Sequence, residues 1–383
     1  MKRVCGLVWP IVLSILLPLV AAWFAYPETH LPPGFGVFPP LFVEDAPGFN
    51  WVIFIALALV EAFIVIFLVF PQWFGFTIPT PPPKPVPAQF PVWFWLGAAL
   101  TLFFWWLMWT RVTPFGDLVY YAFTPLWWGF ILVLDGLSYH RSGGYSLLAA
   151  RPQTLLISAA VSLVGWFYFE YFDYFALGDW YYPNSTMPEL SHTTVVLLYL
   201  TAYTTVWPAI FEWYTLLNTV PGLVNRYSNG PKVVLSGRLM WSGFILMFAL
   251  VFFPYPLFWV MWIGPLVIFS GQLLRKGIWN PFTAMAEGNW GPVLLIALGT
   301  LFNGFFWELW NWGSAHPAQP VTNPNYWVYD IPYVNVIHIF SEMPLLGYMG
   351  YMPFGILAWA VFIWLGVLFG FDTELLKSDQ DEG

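Results

Sequence analysis

Two aromatic segments each carry an acid and, three positions later, a second polar residue. Residues 167–174 contain Glu170 and Asp173, and residues 305–312 contain Glu308 and Asn311. Positions three apart share a helix face, so each segment predicts two polar side chains that point the same way. A carboxyl group that keeps its proton among apolar rings can act as a general acid, and aromatic faces stabilise positive charge. The pattern is therefore typical of acid-initiated chemistry on an apolar polyene.

The same residues also allow a purely structural interpretation. The short link near residue 111 contains Arg111, which is a candidate counter-ion for a nearby carboxylate because a guanidinium can bind both carboxylate oxygens. Arg111 with Glu170 and Glu308 would then form a polar clamp that closes two parts of the chain against each other. The sequence leaves the catalytic and the structural interpretations open.

The composition indicates that these motifs lie in a membrane protein. The chain has 383 residues, of which 59% are hydrophobic and 8% charged, whereas soluble domains carry roughly 25% charged residues. Cys5 is the only cysteine, so intrachain disulfides and cysteine-ligated clusters are excluded. The net charge of −8 argues against a nucleic-acid partner.

The hydrophobic pattern predicts an all-α integral membrane protein with about ten transmembrane helices, because about 20 apolar residues are needed to cross a bilayer. The pattern after residue 90 predicts two parallel four-helix repeats. Residues 331–346 are predicted to form an interfacial or re-entrant helix. The predicted spans are 4–26, 49–70, 91–110, 115–138, 153–174, 192–216, 238–253, 255–274, 290–312 and 350–370. The predicted organisation is a two-helix part (1–76) with a Pro-rich outer loop, a Pro-rich linker (77–90), repeat 1 (91–217), repeat 2 (238–371) and an acidic tail (372–383).

The distribution of positive charge predicts the orientation. Cytoplasmic loops are enriched in Lys and Arg, and with a cytoplasmic N-terminus all cations except Arg111 fall on the inner side. Both termini are then cytoplasmic. At 1.5 Å per residue, Glu170 and Glu308 lie about 26 and 27 Å from the inner ends of their helices. A hydrocarbon core about 30 Å thick puts both acids near the outer interface, where Arg111 is also predicted.

A resemblance to known proteins adds a substrate class. The series Glu308, Trp327, Tyr329, Glu342 and Pro344 resembles the membrane-bound carotenoid enzymes, namely the heterodimer-type lycopene cyclases and the carotenoid hydratases. A fainter series comprises Glu170, Trp180, Tyr182, Pro188 and Glu189. Residues 306–354 also resemble an uncharacterised family of bacterial polytopic membrane proteins. These resemblances imply the bacterial inner membrane and an isoprenoid or carotenoid-like ligand. The predicted catalytic residues are Glu170, Asp173, Glu308, Glu342 and Arg111. Trp180, Trp327, Tyr329 and Asn311 are predicted to contact the ligand.

Three functional classes remain open on the sequence. An enzyme should enclose a pocket around Arg111, Glu170 and Glu308. A structural or pigment- and lipid-binding subunit of a respiratory or photosynthetic complex should show flat aromatic faces for protein partners. A transporter should have a polar path from this site to Glu61, which lies in the middle of the second predicted span. The sequence specifies no cofactor and predicts no metal site. The expected partners are membrane lipid, an apolar isoprenoid or pigment, and other membrane proteins.

Overall fold

The computed structural model describes residues 2–41, 43–111, 113–317 and 320–377, and the side chains of residues 2–5 and 113 fall outside this description. The described chain is almost entirely helical. The helices are α1 (Lys2–Ala25), α2 (Trp51–Val69), α3 (Val92–Thr110), α4 (Phe123–Ser142), α5 (Leu147–Ala150), α6 (Pro152–Ala176), α7 (His192–Tyr203), α8 (Val206–Asn218), α9 (Pro221–Tyr227), α10 (Met240–Leu250), α11 (Pro254–Leu257), α12 (Val260–Arg275), α13 (Pro281–Met285), α14 (Gly291–Ala315) and α15 (Tyr351–Phe369). Short 3₁₀ helices occur at Pro71–Phe74, Thr113–Tyr121, Gly237–Leu239 and Leu345–Gly350.

Within the described ranges, seven helical segments are long and apolar enough to cross a membrane, and an eighth is possible where Pro114–Tyr121 and Phe123–Ser142 meet at an angle of 66°. The chain is therefore an all-α protein with the helices of an integral membrane protein. Two further apolar helices, Gly237–Leu250 and Val260–Arg275, are shorter than the seven long ones. These two correspond to the seventh and eighth predicted spans, so the count of ten stays a prediction.

Two β-strands join the loops that follow α6 and α14. Strand β1 (Trp180–Tyr181) pairs antiparallel with β2 (Val328–Tyr329), with Trp180 opposite Tyr329 and Tyr181 opposite Val328. The prediction of an interfacial helix at residues 331–346 is wrong for most of that segment. Residues 331–344 contain no helix, and a 3₁₀ helix begins only at Leu345. Pro332 and Pro344 lack the backbone N–H that a regular helix needs, and the loop instead folds back toward α14.

Small residues let two pairs of helices pack closely. A Cβ on Gly97 of α3 would meet the carbonyl oxygen of Gly129 in α4 at 2.6 Å, and a Cβ on Gly243 of α10 would meet that of Gly264 in α12 at 2.7 Å. Neither contact leaves room for a side chain. Such small-residue contacts are common between membrane helices, because lipid offers no hydrophobic driving force and close packing has to supply the attraction.

Helices α8, α12, α14 and α15 form the centre of the bundle, whereas α2 lies at its edge. The largest fully buried side chains include Trp127, Trp207, Trp310 and Trp364. In α2, by contrast, Leu68 is the one buried residue and most other apolar side chains are exposed. A helix this apolar and this exposed needs lipid or another protein around it.

Most cations of the described helices lie at one end of the bundle, whereas Arg111 lies beside the end of α14. Arg151 at the start of α6 forms ion pairs with Asp372 and Glu374. Arg226 donates to the carbonyls at the end of α2, and Arg141 donates to Thr219 after α8 at 2.9 Å. We call this the cation end, and we call the opposite end, where α6 and α14 finish, the site end. Residues 378–383, most of the predicted acidic tail, lie outside the described residues.

Candidate functional site

Glu170 is the centre of a hydrogen-bonded cluster at the site end. The residue is 4% exposed, and its Oε1 accepts bonds from four side chains. Tyr182 OH lies at 2.5 Å, Trp166 Nε1 at 2.8 Å, Tyr203 OH at 2.9 Å and Trp180 Nε1 at 3.4 Å. Buried polar groups normally need such partners. The carboxyl thereby fixes donors from α6, β1 and α7 around one point.

Glu308 is the centre of a second cluster with a related design. Its side chain is fully buried. Oε1 accepts from Tyr351 OH at 2.5 Å and Tyr329 OH at 2.9 Å, while Oε2 accepts from Met343 N at 3.3 Å and Ser341 OH at 3.4 Å. In both clusters the acid binds two tyrosines whose hydroxyls also lie close together. The oxygens of Tyr182 and Tyr203 are 3.2 Å apart, and those of Tyr329 and Tyr351 are 3.4 Å apart.

The second polar residue of each motif positions the strand that follows its helix. Asp173 Oδ1 accepts the backbone N–H of Asp179 at 2.7 Å. Asn311 accepts the N–H of Trp327 at 3.1 Å and donates to the carbonyl of the same residue at 2.7 Å. Asp173 and Asn311 therefore fix the starts of β1 and β2, and so they position the aromatic residues without contacting a ligand themselves.

A cavity of about 290 Å³ lies between the two clusters. The tyrosines and tryptophans that surround the two glutamates form its central walls, and Phe354 of α15 lies between them. One side is formed by α2 and the start of α12, through Val60, Glu61 and Trp259. Its principal aromatic walls are Trp166, Trp180, Tyr182, Tyr203, Trp327, Tyr329 and Tyr351.

The glutamates themselves do not line this cavity, because their tyrosines separate them from it. Tyr182 and Tyr329 lie in the loops outside the long helices. For each of them, burial and then the nearby glutamate raise the pKa well above that of a free tyrosine. These hydroxyls stay protonated and donate to the acids, which leaves their oxygens as weak acceptors beside the cavity. The direct role of Glu170 and Glu308 is to hold the walls in place.

The residues predicted to contact a ligand divide into two groups. Trp180, Trp327 and Tyr329 all line the cavity, and Trp327 Nε1 donates to Tyr329 OH at 2.9 Å. Asn311 lies behind them. Glu342 also lies outside the lining, where its Oε1 accepts from Tyr326 OH at 2.8 Å and lies 2.9 Å from His316 Nε2.

Arg111 has a different environment from the one expected. The residue ends α3 with a left-handed backbone (φ 54°). Its Nε and Nη2 each donate at 2.9 Å, to the carbonyls of Pro320 and Ser314, and Nη1 donates to that of Trp109. Among the described residues it forms no ion pair with a carboxylate, and it does not line the cavity. A cation beside the last carbonyls of α14 instead complements the negative end of that helix.

Three acidic or amide residues in the lining were not assigned to this site from the sequence. Asp179 precedes β1, Asn325 precedes β2, and Glu61 faces the cavity from α2. Glu61 was recognisable as a lone acid in an apolar helix. Asp179 and Asn325 carry no comparable signal, because their importance depends on the pairing of two strands 147 residues apart in sequence.

Asp179 has the most perturbed environment of the three. It is 5% exposed, and its Oδ2 has no hydrogen-bond partner among the described residues. Burial, followed by the charge of Asp330, raises the pKa of Asp179 to about 8. A carboxyl with such a pKa is mostly protonated at neutral pH and can donate a hydrogen bond.

The described residues contain no group of three or more His, Cys, Asp or Glu side chains arranged to hold a metal ion. The sequence matches no known family profile, and neither curated proteins nor solved structures provide a match. The resemblance to carotenoid enzymes therefore stays a prediction, and the cavity itself has to support any functional conclusion.

Proposed function

We propose that this membrane protein takes an apolar molecule of the isoprenoid class from the bilayer and holds it in the aromatic cavity. The observation that carries the proposal is the cavity between the Glu170 and Glu308 clusters, whose walls are almost wholly aromatic and aliphatic. Binding sites for small molecules are typically apolar cavities with a few oriented polar groups. The Glu61, Asp179 and Asn325 side chains are such groups.

The edge position of α2 supports entry from the lipid. Val60 on α2 is 54% exposed and Trp259 at the start of α12 is 39% exposed, yet both line the cavity. The same side chains thus face both the cavity and the surroundings of the bundle. An apolar molecule could pass between α2 and α12 without crossing an aqueous phase.

The size of the cavity restricts the ligand. Sites that enclose small molecules have volumes of about 300–1,000 Å³, and 290 Å³ lies at the lower limit. A short isoprenoid, or one end of a longer one such as a carotenoid, fits this volume better than an entire long polyene does. An acid-initiated reaction driven directly by Glu170 or Glu308 is less favoured, because tyrosines lie between these acids and the cavity.

Binding of farnesane, a saturated isoprenoid hydrocarbon, would test this function. Purified chain would be titrated with farnesane and the complex counted by native mass spectrometry, with an organic extract of the untreated protein analysed for co-purified isoprenoids. Gly350 lines the cavity and has open space where a Cβ would lie. Gly350→Leu should therefore abolish a one-to-one complex.

Gly222→Leu is the matched control, because Gly222 also has open space around it but lies in α9 outside the lining. The variant should bind farnesane as the original chain does. Failure of the original chain to bind, or equal binding by Gly350→Leu, would overturn the proposed function.

We also propose that the chain is a tandem duplication, with ten spans and its site end on the outer face of a bacterial inner membrane. The matched glycine contacts, Gly97 with Gly129 and Gly243 with Gly264, support the duplication. The antiparallel pairing of β1 with β2 supports it too, since Tyr181 and Val328 occupy the same place in the two copies.

A contact of the short hairpin α10–α12 supports the ten spans. Tyr255 OH donates to the carbonyl of Asp45 at 3.4 Å, in the loop that also covers the site end. The hairpin therefore reaches from the cation end to the site end. The positive-inside rule supports cytoplasmic termini, because the cation end would then face the cytoplasm. Reporter fusions after residue 253 and after residue 377 should report opposite sides of the membrane.

A further inference from the structure

Most of the cavity is apolar, but two buried polar atoms of its lining residues lack partners among the described residues. Asp179 Oδ2 and Asn325 Nδ2 are both buried and form no hydrogen bond with any described residue. Leaving a buried polar atom without a partner is costly, and such an atom in a native structure calls for an explanation. A bound ligand that supplies the missing partner provides one.

The backbone around Asp179 is fixed on both sides. Its N–H donates to Asp173 Oδ1 at 2.7 Å, and its carbonyl accepts the N–H of Asp330 at 3.0 Å. Asp330 in turn has a partner of its own, because its Oδ2 accepts the N–H of Ala46 at 2.8 Å. These bonds hold the backbone of Asp179 in place, and none of them uses its Oδ2.

The lining also restricts the charge of the group that Asp179 could bind. None of the described lining residues is Lys, Arg or His. A phosphate or carboxylate would have no counter-charge and would approach Asp179 and Glu61, so anionic groups are disfavoured. A hydroxyl group can both accept from a neutral carboxyl and donate to it.

We propose that Asp179 binds the hydroxyl group of an isoprenoid alcohol whose chain occupies the aromatic cavity. This inference rests on the proposed function and adds the polar group that the ligand must carry. The alcohol completes the hydrogen bonding of Asp179 Oδ2, while Trp180 and Tyr182 next to it contact the first part of the chain. Asn325 lies beyond Trp327, toward the other end of the β1–β2 ribbon, so its orphaned atom lies apart from that of Asp179.

The test compares four probes that share one saturated chain: farnesane, hexahydrofarnesol, hexahydrofarnesylamine and hexahydrofarnesoic acid. Binding to the purified full chain is measured by native mass spectrometry. One additional hydrogen bond should make hexahydrofarnesol bind about tenfold tighter than farnesane. Asp179→Leu should reduce this preference to about twofold or less. Its cooperative unfolding in mixed micelles would show that the variant is folded.

Asn303→Leu is the matched control, because Asn303 also has buried polar atoms without partners among the described residues but lies outside the lining. It should leave the preference for the alcohol unchanged. Equal affinity for hexahydrofarnesol and farnesane would overturn this inference and leave the proposed function intact. Tighter binding of the amine or the acid than of the alcohol would also overturn it, as would a preference for the alcohol that survives in Asp179→Leu. If farnesane does not bind at all, the proposed function fails as well.

Discussion

The Glu170 and Glu308 clusters have the same core but different surroundings. Each glutamate is buried near the end of a 25-residue helix and accepts hydrogen bonds from two tyrosines. In the first cluster all four donors converge on Oε1. In the second they divide between the two oxygens, and two of them come from the loop before α15.

A single position accounts for much of the difference. Trp166, which donates to Glu170, lies four residues before it, and the position four residues before Glu308 is Gly304. A Cβ on Gly304 would clash with the ring of Tyr351, so no large side chain fits there. The longer loop of the second cluster compensates, because Ser341 and the N–H of Met343 supply the missing donors. The glutamate and its two tyrosines are therefore common to both clusters, whereas the other hydrogen-bond donors can be replaced.

The largest effect is expected from removal of the two glutamates. Glu170→Ala leaves four donors without their acceptor, and each buried donor without a partner costs about 1–3 kcal/mol. We expect the free energy of unfolding to fall by about 3 kcal/mol or more. Glu308→Ala should cost less, about 2 kcal/mol, because Ser341 also donates to the carbonyl of Met343 and Trp327 still binds Tyr329.

Denaturant unfolding in mixed micelles would measure both variants. Glu189→Ala is the control, because Glu189 is exposed in the loop after β1, and it should change the stability little. A larger loss in Glu308→Ala than in Glu170→Ala would contradict the argument that the second cluster has replaceable donors.

The next largest effect tests whether the two halves pack alike. Gly97→Ala and Gly243→Ala each force a Cβ against a backbone carbonyl of the neighbouring helix. Overpacking of this kind costs about 1–3 kcal/mol, and we expect the two losses to agree within about 0.5 kcal/mol. Gly222→Ala, which meets open space, is the control for the loss of glycine itself. A loss in only one of the two helix pairs would show that the halves are not packed equivalently.

The third prediction is a contribution of Asp179 to the pH dependence of stability, with no counterpart at the corresponding position of the second half. The folded pKa of Asp179, about 8, exceeds the value of about 3.9 expected in the unfolded chain. The folded state therefore retains a proton that the unfolded state has lost. The stabilising contribution is complete below about pH 4 and is lost as the pH rises through about 8. Asp330 and Asp173 are the acids that face Asp179.

Between pH 6 and 8 we expect the titration of Asp179 to remove about 2 kcal/mol of stability. Asp179→Asn should remove this contribution. The corresponding position before β2 is Tyr326, whose pKa is raised by burial and by Glu342, so it does not titrate in this interval. Unfolding curves at several pH values would measure the slope of stability against pH. An unchanged slope in Asp179→Asn would contradict the assignment of this dependence to Asp179.

The sequence was sufficient to predict the helical membrane fold and to single out the acids at the centre of the two clusters. Hydrophobic runs of about 20 residues specify membrane helices strongly, and acids inside aromatic segments stand out because they are costly there. The aromatic residues Trp180, Trp327 and Tyr329 were also identified, and all three line the cavity.

The sequence could not supply the contacts that depend on the loops. The pairing of β1 with β2 involves two residues per strand, too few for a recognisable pattern. The partners of Arg111 are backbone carbonyls, which carry no sequence signal. Charge alone therefore favoured a carboxylate partner. Asp179 is one of several acids in the loops, such as Asp330 and Glu342, and only the folded chain distinguishes it from the others.

The smallest effect is expected from Asp173→Asn, one of two exchanges of the second polar residue in each motif. Asp173→Asn keeps an oxygen that can accept the N–H of Asp179, and it removes an acid beside Asp179, so we expect a change of at most about 0.5 kcal/mol. Asn311→Asp should cost about 1–2 kcal/mol. The carboxylate cannot donate to the carbonyl of Trp327 as the amide does, and it places a charge near Glu308. The free energies of unfolding of the two variants and of the double exchange would show whether the two motifs tolerate the exchange equally. A loss in Asp173→Asn that equals the loss in Asn311→Asp would show that the first motif needs its charge, and the two motifs would then differ in function as well as in their hydrogen-bond partners.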